Sequence, residues 1–212
     1  MHLLNQVLYA VSGAAWCIAY ILIIVRGIRD KAYGMPFIAL AFNISWELCF
    51  STFFYDGNPV HRVVNSAWFL LDLGILFTYF RYGLKDWPRA ISPAFFYPYS
   101  FFVLGISFAI TYVAVRELHD VYGAYTAYIS NLVMALLYIN LLNTRGGLSG
   151  QSAGIALAKL VGTGCYSIVF YIWHAKFLVL IGALIVFFDF IYLLMVFNEG
   201  RLVWPIRLKL RS

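Results

Sequence analysis

Three carboxyl groups and one amine lie inside stretches of sequence that are otherwise apolar: Glu47, Asp72, Asp189 and Lys159. An ionisable side chain is costly in such surroundings, so it usually faces the interior of a helix bundle and serves a function. Two carboxyl groups that meet in a low-dielectric site cannot both ionise easily, and one of them then stays protonated near pH 7. A carboxyl group held in this state can act as a proton donor.

Aromatic and amide side chains recur at helical spacing beside these carboxyl groups. Asn43 and Trp46 precede Glu47 by four residues and one residue, and we expect the three to share one helix face. Asn65, Trp68 and Asp72 repeat this helical spacing in the next span. In the last span, Tyr192 follows Asp189 by one helical turn. The faces of aromatic rings attract cations. An acid beside aromatic walls therefore favours a reaction that passes through a carbocation.

The composition predicts that membrane-spanning helices position these residues. Of 212 residues, 63% are hydrophobic and only 11% are charged, against about 25% charged residues in a soluble domain. Seven apolar stretches are long enough to cross a bilayer, at about residues 3–26, 36–55, 63–80, 95–115, 122–143, 152–172 and 177–197. We expect an all-α polytopic membrane protein, one bundle of seven helices forming a single domain over residues 1–212.

The four intramembrane charges are predicted to lie at a similar depth. At about 1.5 Å rise per residue, Glu47 lies roughly 17 Å from the cytoplasmic end of its helix. Asp72 and Asp189 each lie about 12 Å from that side, and Lys159 about 10 Å. Lys159 has three possible roles, which are neutralising a carboxylate such as Asp72, contacting substrate, or snorkelling toward the inner surface.

The basic residues predict the orientation of the bundle. Alternate connections carry eleven Lys and Arg residues on one side and three on the other, which favours a cytoplasmic C-terminus and an N-terminus outside. The segment 207–211 is expected to attract anionic lipid weakly. The net charge of +6 is then a signal of topology. We predict no nucleic-acid partner and no obligate protein partner.

Several other reaction classes lack their sequence signals. The chain has no glycine-rich phosphate loop and no Asp-Asp-x-x-Asp magnesium motif. Its three cysteines, Cys17, Cys49 and Cys165, lie inside predicted spans without metal-ligand spacing. We therefore predict neither a metal nor a cofactor.

The motifs around Glu47, Asp72 and Asp189 resemble those of the integral-membrane terpene cyclases of meroterpenoid and indole-terpenoid biosynthesis. The seven-span plan and the small size match along the whole chain, and the second and third spans are the most specific. The resemblance implies protonation of a terminal alkene or epoxide on a prenylated substrate, then cationic ring closure and deprotonation without metal. The short loops are more similar to bacterial members that act on farnesylated indole or related substrates.

The resemblance implies that Glu47 and Asp189 are the essential acids. Combined with the residue patterns, it gives a hypothesis in which Glu47 protonates the prenyl chain and shares a proton with Asp189 or Asp72. The predicted catalytic residues are Glu47, Asp189 and Asp72, and the predicted substrate-binding residues are Trp46, Trp68, Asn43, Asn65, Tyr192 and Lys159. The amphiphilic substrate is expected to enter from the lipid bilayer with its polar head at the interface.

Three alternatives remain at this point. A proton-coupled small-molecule transporter would use the same carboxyl groups, although the chain shows no repeated halves. A retinal-binding photoreceptor would need a lysine deep in the last helix, whereas Lys176 lies at that helix's outer end. A scaffold protein would use the acids for stability alone.

Overall fold

A computed structural model describes residues 2–199, and these residues form seven α-helices and no strands. The helices are α1 (His2–Asp30), α2 (Phe37–Leu48), α3 (Pro59–Tyr82), α4 (Phe96–Glu117), α5 (Ala124–Arg145), α6 (Ala153–Ile172) and α7 (Lys176–Phe197). The predicted all-α class is confirmed, and each helix lies where an apolar stretch was expected. The basic segment 207–211 lies outside the described residues.

Six of the helices are long and apolar enough to cross a membrane, whereas α2 is shorter. A π-helical turn, Cys49–Phe53, follows α2 directly and extends it to Phe53. Such turns often occur at functional sites. This turn begins two residues after Glu47, so the helix is irregular beside one of the predicted acids.

Local sequence determines where several helices begin and end. The Asn58 side chain accepts a hydrogen bond from the Val60 backbone at the start of α3, with Pro59 in the first turn. The Ser152 hydroxyl accepts one from the Ile155 backbone at the start of α6. Such caps satisfy the free N–H groups of a first turn. They separate the apolar stretches into distinct helices.

Six helices form a ring, and α4 lies outside it. Around the ring, each helix contacts the next in the order α1, α3, α2, α5, α7, α6, and α6 contacts α1. Helix α4 packs mainly on α2 and hardly touches α5. Every ring helix can therefore send a side chain into a common interior, whereas α4 has no such access.

The contact between α1 and α6 is close because both helices carry small residues there. A Cβ atom built on Gly162 would lie 2.8 Å from the Trp16 ring. The Ser12 hydroxyl donates a hydrogen bond of 2.7 Å to the Gly162 carbonyl oxygen. Small residues and interhelical hydrogen bonds commonly hold membrane helices together. This contact closes the ring.

Alternate connections meet at the same end of the bundle. The Arg145 guanidinium donates to the Tyr33 carbonyl oxygen at 2.7 Å, the Ser149 carbonyl oxygen at 2.8 Å and the Asp86 carboxylate at 2.6 Å. It thus joins the connections after α1, α3 and α5. We call this the basic end. Outward side chains such as Leu70 and Phe102 are apolar and more than 60% exposed, as expected of a multi-pass membrane protein.

Candidate active site

The first polar cluster inside the ring contains two carboxyl groups, from Glu47 on α2 and Asp72 on α3. Both side chains are almost completely buried. The Asn43 amide nitrogen lies 3.0 Å from Glu47 Oε1 and 2.8 Å from Asp72 Oδ2, so one amide bridges both groups. The Tyr20 hydroxyl on α1 donates to Glu47 Oε1 at 2.8 Å. We call these four residues the carboxyl cluster.

The carboxyl cluster contains no cation to balance a second negative charge. Neither Glu47 nor Asp72 forms an ion pair with any residue of the described range 2–199. Their other oxygens, Glu47 Oε2 and Asp72 Oδ1, are buried and find no hydrogen-bond partner in that range. The Asn43 amide nitrogen contacts both groups, which places Glu47 and Asp72 side by side. The arrangement therefore favours a shared proton.

The second polar cluster lies between α5, α6 and α7 and contains a charge-balanced pair. Lys159 Nζ is 2.9 Å from Asp189 Oδ1, and both side chains are completely buried. The ammonium group also lies 4.2 Å from the centre of the Tyr138 ring and 5.8 Å from that of Tyr192. The Tyr192 hydroxyl in turn donates to Gln151. We call Lys159, Asp189, Tyr138 and Tyr192 the ion-pair cluster.

The ion-pair cluster also contains polar atoms without a partner. Asp189 Oδ2 and the Tyr138 hydroxyl are buried and form no hydrogen bond within residues 2–199. The Tyr138 ring contacts the Lys159 ammonium group and the Tyr192 ring. A buried polar atom without a hydrogen bond is costly. Free atoms of this kind in both clusters mark the interior of the ring as a candidate site.

The structure answers which carboxylate pairs with the lysine. The sequence allowed an ion pair between Lys159 and Asp72, and it allowed Glu47 to share a proton with Asp189. In the structure Lys159 pairs with Asp189, and the partner of Glu47 is Asp72. Lys159 is completely buried, so it does not snorkel to the surface. Helix order in the ring decides these pairs, because α2 adjoins α3 and α6 adjoins α7.

Trp46 does not share the face of Asn43 and Glu47, contrary to the prediction. Its indole N–H lies 3.0 Å from the Gly123 carbonyl oxygen and 3.1 Å from the Thr126 hydroxyl, at the end of the bundle opposite Arg145. Its ring packs on Phe50, with centroids 4.7 Å apart. Neighbouring residues on a helix are separated by about 100°, so Trp46 and Glu47 point in different directions.

Asn65 and Trp68 precede Asp72 on α3, and Trp68 packs against α1. The Trp68 ring lies about 4.0 Å from where a Cβ atom on Gly13 would be. Its indole N–H is buried and has no hydrogen-bond partner among residues 2–199. Asn65 is 8% exposed. Both residues remain candidates for contact with a substrate that enters near Asp72.

Sequence analysis missed Tyr20, Tyr138 and Gln151. A signal for Tyr20 was present, because Ser12, Trp16 and Tyr20 recur every four residues along one face of an apolar helix. Tyr138 and Gln151 carry no such pattern. Among residues 2–199, no three His, Cys, Asp or Glu side chains are grouped so that they could hold a metal ion.

Comparison with known proteins identifies the family. The family model for Pyr4-like transmembrane terpene cyclases matches residues 1–198. The chain therefore belongs to this family of membrane-embedded terpene cyclases, as the motifs around Glu47 and Asp72 suggested. The match favours the cyclase interpretation over the transporter, photoreceptor and scaffold alternatives.

Individual relatives agree with this assignment. The chain is 29% identical over 168 residues to the Pyr4-family terpene cyclase mfmH of Annulohypoxylon moriforme, covering 77% of this chain and 68% of mfmH. It is 23% identical over 201 residues to the terpene cyclase penB of Penicillium crustosum, covering 92% and 83%. With the terpene cyclase pyr4 of Aspergillus fumigatus it shares 25% over 154 residues, covering 72% and 64%. No solved structure matches the chain significantly.

Proposed function

We propose that the Glu47–Asp72 pair starts cyclisation by giving a proton to the distal alkene or epoxide of a prenylated substrate. The observation that carries the proposal is the pair itself, two buried carboxyl groups bridged by one amide without a cation. The carboxyl O–H bond breaks as a C–H bond forms on the alkene. With an epoxide, the proton goes to the ring oxygen as a C–O bond opens. Either route produces a carbocation and leaves both groups of the pair as carboxylates.

Aromatic rings around the interior then stabilise the successive cations. Trp68 lies one turn before Asp72, and the Tyr138 and Tyr192 rings, 5.2 Å apart, lie beside the Lys159 ammonium group. Cation–π attraction strengthens when water is absent. A dry interior also prevents water from capturing the cation, and a prefolded chain reduces the entropy lost on ring closure.

Asp189 removes the last proton in this proposal, and a proton must return to the Glu47–Asp72 pair before the next turnover. Asp189 Oδ1 forms the ion pair with Lys159, and Oδ2 is the oxygen that Lys159 leaves free. That oxygen accepts a proton from the final cation, and the electrons of the broken C–H bond form the product alkene. One proton enters and one leaves, so product and substrate are isomers. These steps use carboxyl groups alone and need no metal.

The substrate in this proposal is amphiphilic and reaches the ring from the bilayer with its polar head at the interface. The basic end faces the cytoplasm and the N-terminus lies outside, as the excess of Lys and Arg at that end supports. An impermeant thiol reagent applied to intact cells tests this orientation. Cysteine at Asn58 should react, whereas cysteine at Ser149 should react only after lysis. The reverse pattern would contradict the orientation.

Glu47→Gln tests the proton donor directly. Glutamine keeps the size of the side chain and can still accept from Tyr20, but it cannot donate the acidic proton. We expect product formation to fall by about 10²- to 10⁴-fold, measured by mass spectrometry on membranes that contain equal amounts of folded protein. Wild-type rates in both Glu47→Gln and Asp72→Asn would remove the pair from the mechanism.

Asp189→Asn together with Lys159→Met tests the proposed base. The double substitution removes the acceptor without leaving an unpaired buried charge. We expect the first protonation to continue and the final deprotonation to slow, so that water-quenched or incompletely cyclised products accumulate. An unchanged rate and product pattern would exclude Asp189 as the base.

A further inference from the structure

We propose that Tyr20 is a positioning residue that keeps the proton of the carboxyl pair off Glu47 Oε1, so that Glu47 donates from its other oxygen. This inference rests on the proposed function, because it assigns a task to a residue beside the proposed donor. Tyr20 is 3% exposed, and its hydroxyl donates to Glu47 Oε1 at 2.8 Å. No motif of the sequence analysis included it.

The hydrogen bonds around the pair divide its four oxygens into two kinds. Glu47 Oε1 accepts from both Tyr20 and Asn43, and Asp72 Oδ2 accepts from Asn43. An oxygen that is fully used as an acceptor of donors held by the fold does not carry the acidic hydrogen. Within Glu47 the proton is therefore left to Oε2, which has no partner among the described residues.

Asn43 alone cannot keep the proton off Glu47 Oε1. Its amide nitrogen has two N–H bonds, one for Glu47 Oε1 at 3.0 Å and one for Asp72 Oδ2 at 2.8 Å. The second donor to Glu47 Oε1 is the Tyr20 hydroxyl. Without Tyr20, the proton can occupy Oε1 as well, and the pair no longer presents one fixed donor.

The fold holds Tyr20 rigidly in this place. Trp16 lies one turn before it on α1, and the two rings meet edge to face with centroids 5.8 Å apart. Trp16 is in turn packed against Gly162 on α6. The contact that closes the ring of helices therefore also orients the hydroxyl that reaches Glu47.

Tyr20→Phe tests the proposal, with Tyr79→Phe as the matched control. Tyr79 is also buried, and its hydroxyl bonds to the Ser100 hydroxyl at 3.1 Å, away from the carboxyl cluster. We expect Tyr20→Phe to lower kcat by about 10- to 100-fold and to change KM by less than about twofold. The solvent deuterium isotope effect on kcat should increase, because proton transfer becomes slower. Tyr79→Phe should retain the wild-type values.

Infrared spectra of the protein in lipid provide a readout that does not depend on turnover. The C=O stretching band of the protonated pair is identified by its loss in Glu47→Gln and Asp72→Asn. We expect this band to move in Tyr20→Phe, because a hydrogen bond to a carboxyl oxygen is lost, and to stay in place in Tyr79→Phe. An unmoved band in Tyr20→Phe overturns the proposal.

The possible results separate this inference from the proposed function. If Glu47→Gln is inactive while Tyr20→Phe keeps its kcat and its band, the inference fails and the proton donor stands. If Glu47→Gln is fully active, the proposed function itself fails. If both tyrosine variants lose activity equally with an unmoved band, Tyr20 has only a structural role and the inference is overturned.

Discussion

The carboxyl cluster and the ion-pair cluster lie in the same ring of helices, yet only the second contains a cation that balances its carboxylate. Glu47 and Asp72 share one bridging amide and have no cation, whereas Asp189 is 2.9 Å from the ammonium group of Lys159. All four side chains are buried. The difference lies in which helix is adjacent, since among residues 2–199 the one buried lysine is on α6.

This contrast teaches how one apolar interior can hold both an acid and a base. A pair of carboxyl groups without a cation keeps a proton, because two negative charges at close range in a low dielectric repel strongly. A carboxylate paired with an ammonium group keeps its charge, because each ion offsets the cost of burying the other. Two groups of the same chemical type can thus perform opposite tasks.

Removing the lysine should produce the largest effect on stability. Lys159→Met leaves Asp189 buried without its cation, and we expect the free energy of unfolding in detergent micelles to fall by about 3–5 kcal/mol. The double variant with Asp189→Leu should recover most of this loss, because it buries no charge. A single variant as stable as the wild type would show that the ion-pair cluster is not held by charge.

Asp72→Asn should affect activity and not stability. We expect kcat to fall by about 10²- to 10³-fold, while the unfolding midpoint changes little because no cation loses a partner. The double variant with Glu47→Gln should be no slower than the slower single variant, since residues that act as a unit are not additive. Rates of product formation test this, and losses that multiply would mean that the two acids act independently.

Gly123→Ala separates the Trp46 contact from both clusters. Gly123 has φ of +67°, and a Cβ atom there would lie 2.6 Å from the Trp46 and Phe50 rings. We expect a loss of about 1–3 kcal/mol in unfolding free energy, measured by chemical denaturation, with the activity per folded molecule retained. Gly57→Ala is the control, because Gly57 also has a positive φ, of +87°, but a Cβ atom there meets nothing. Equal losses in both variants would mean that the positive φ alone, and not the contact with the Trp46 and Phe50 rings, causes the loss of stability.

Trp68→Phe should have the smallest effect. Phenylalanine keeps an aromatic face but stabilises a cation less well, so we expect kcat to fall by about two- to fivefold and more partly cyclised product to form. The control is Trp87→Phe, because the Trp87 indole N–H bonds to the Ile91 carbonyl oxygen at the basic end. This variant should leave the product ratio unchanged. Identical product ratios in the wild type and Trp68→Phe would remove Trp68 from the cation path.

Most of the fold was predictable because hydrophobicity along the chain is a local property. The predicted spans 152–172 and 177–197 correspond to helices Ala153–Ile172 and Lys176–Phe197. The second predicted span, 36–55, also agrees with α2 and its extension to Phe53, but the change from α-helix to π-helix at Cys49 leaves no signal in an apolar run. Helical spacing placed Asn43 with Glu47 correctly but wrongly added Trp46, since a spacing of three or four residues defines a broad face and not a direction.

The sequence by itself determined that this protein is a bundle of apolar helices, that Glu47, Asp72, Lys159 and Asp189 are buried in it, and that it resembles membrane terpene cyclases. These properties follow from residue types and spacing along single helices. Only the tertiary structure decided that Glu47 faces Asp72, that Lys159 faces Asp189, and that Tyr20 reaches Glu47. Those partners lie on different helices, and their meeting depends on the order of helices around the ring, which local hydrophobicity does not encode.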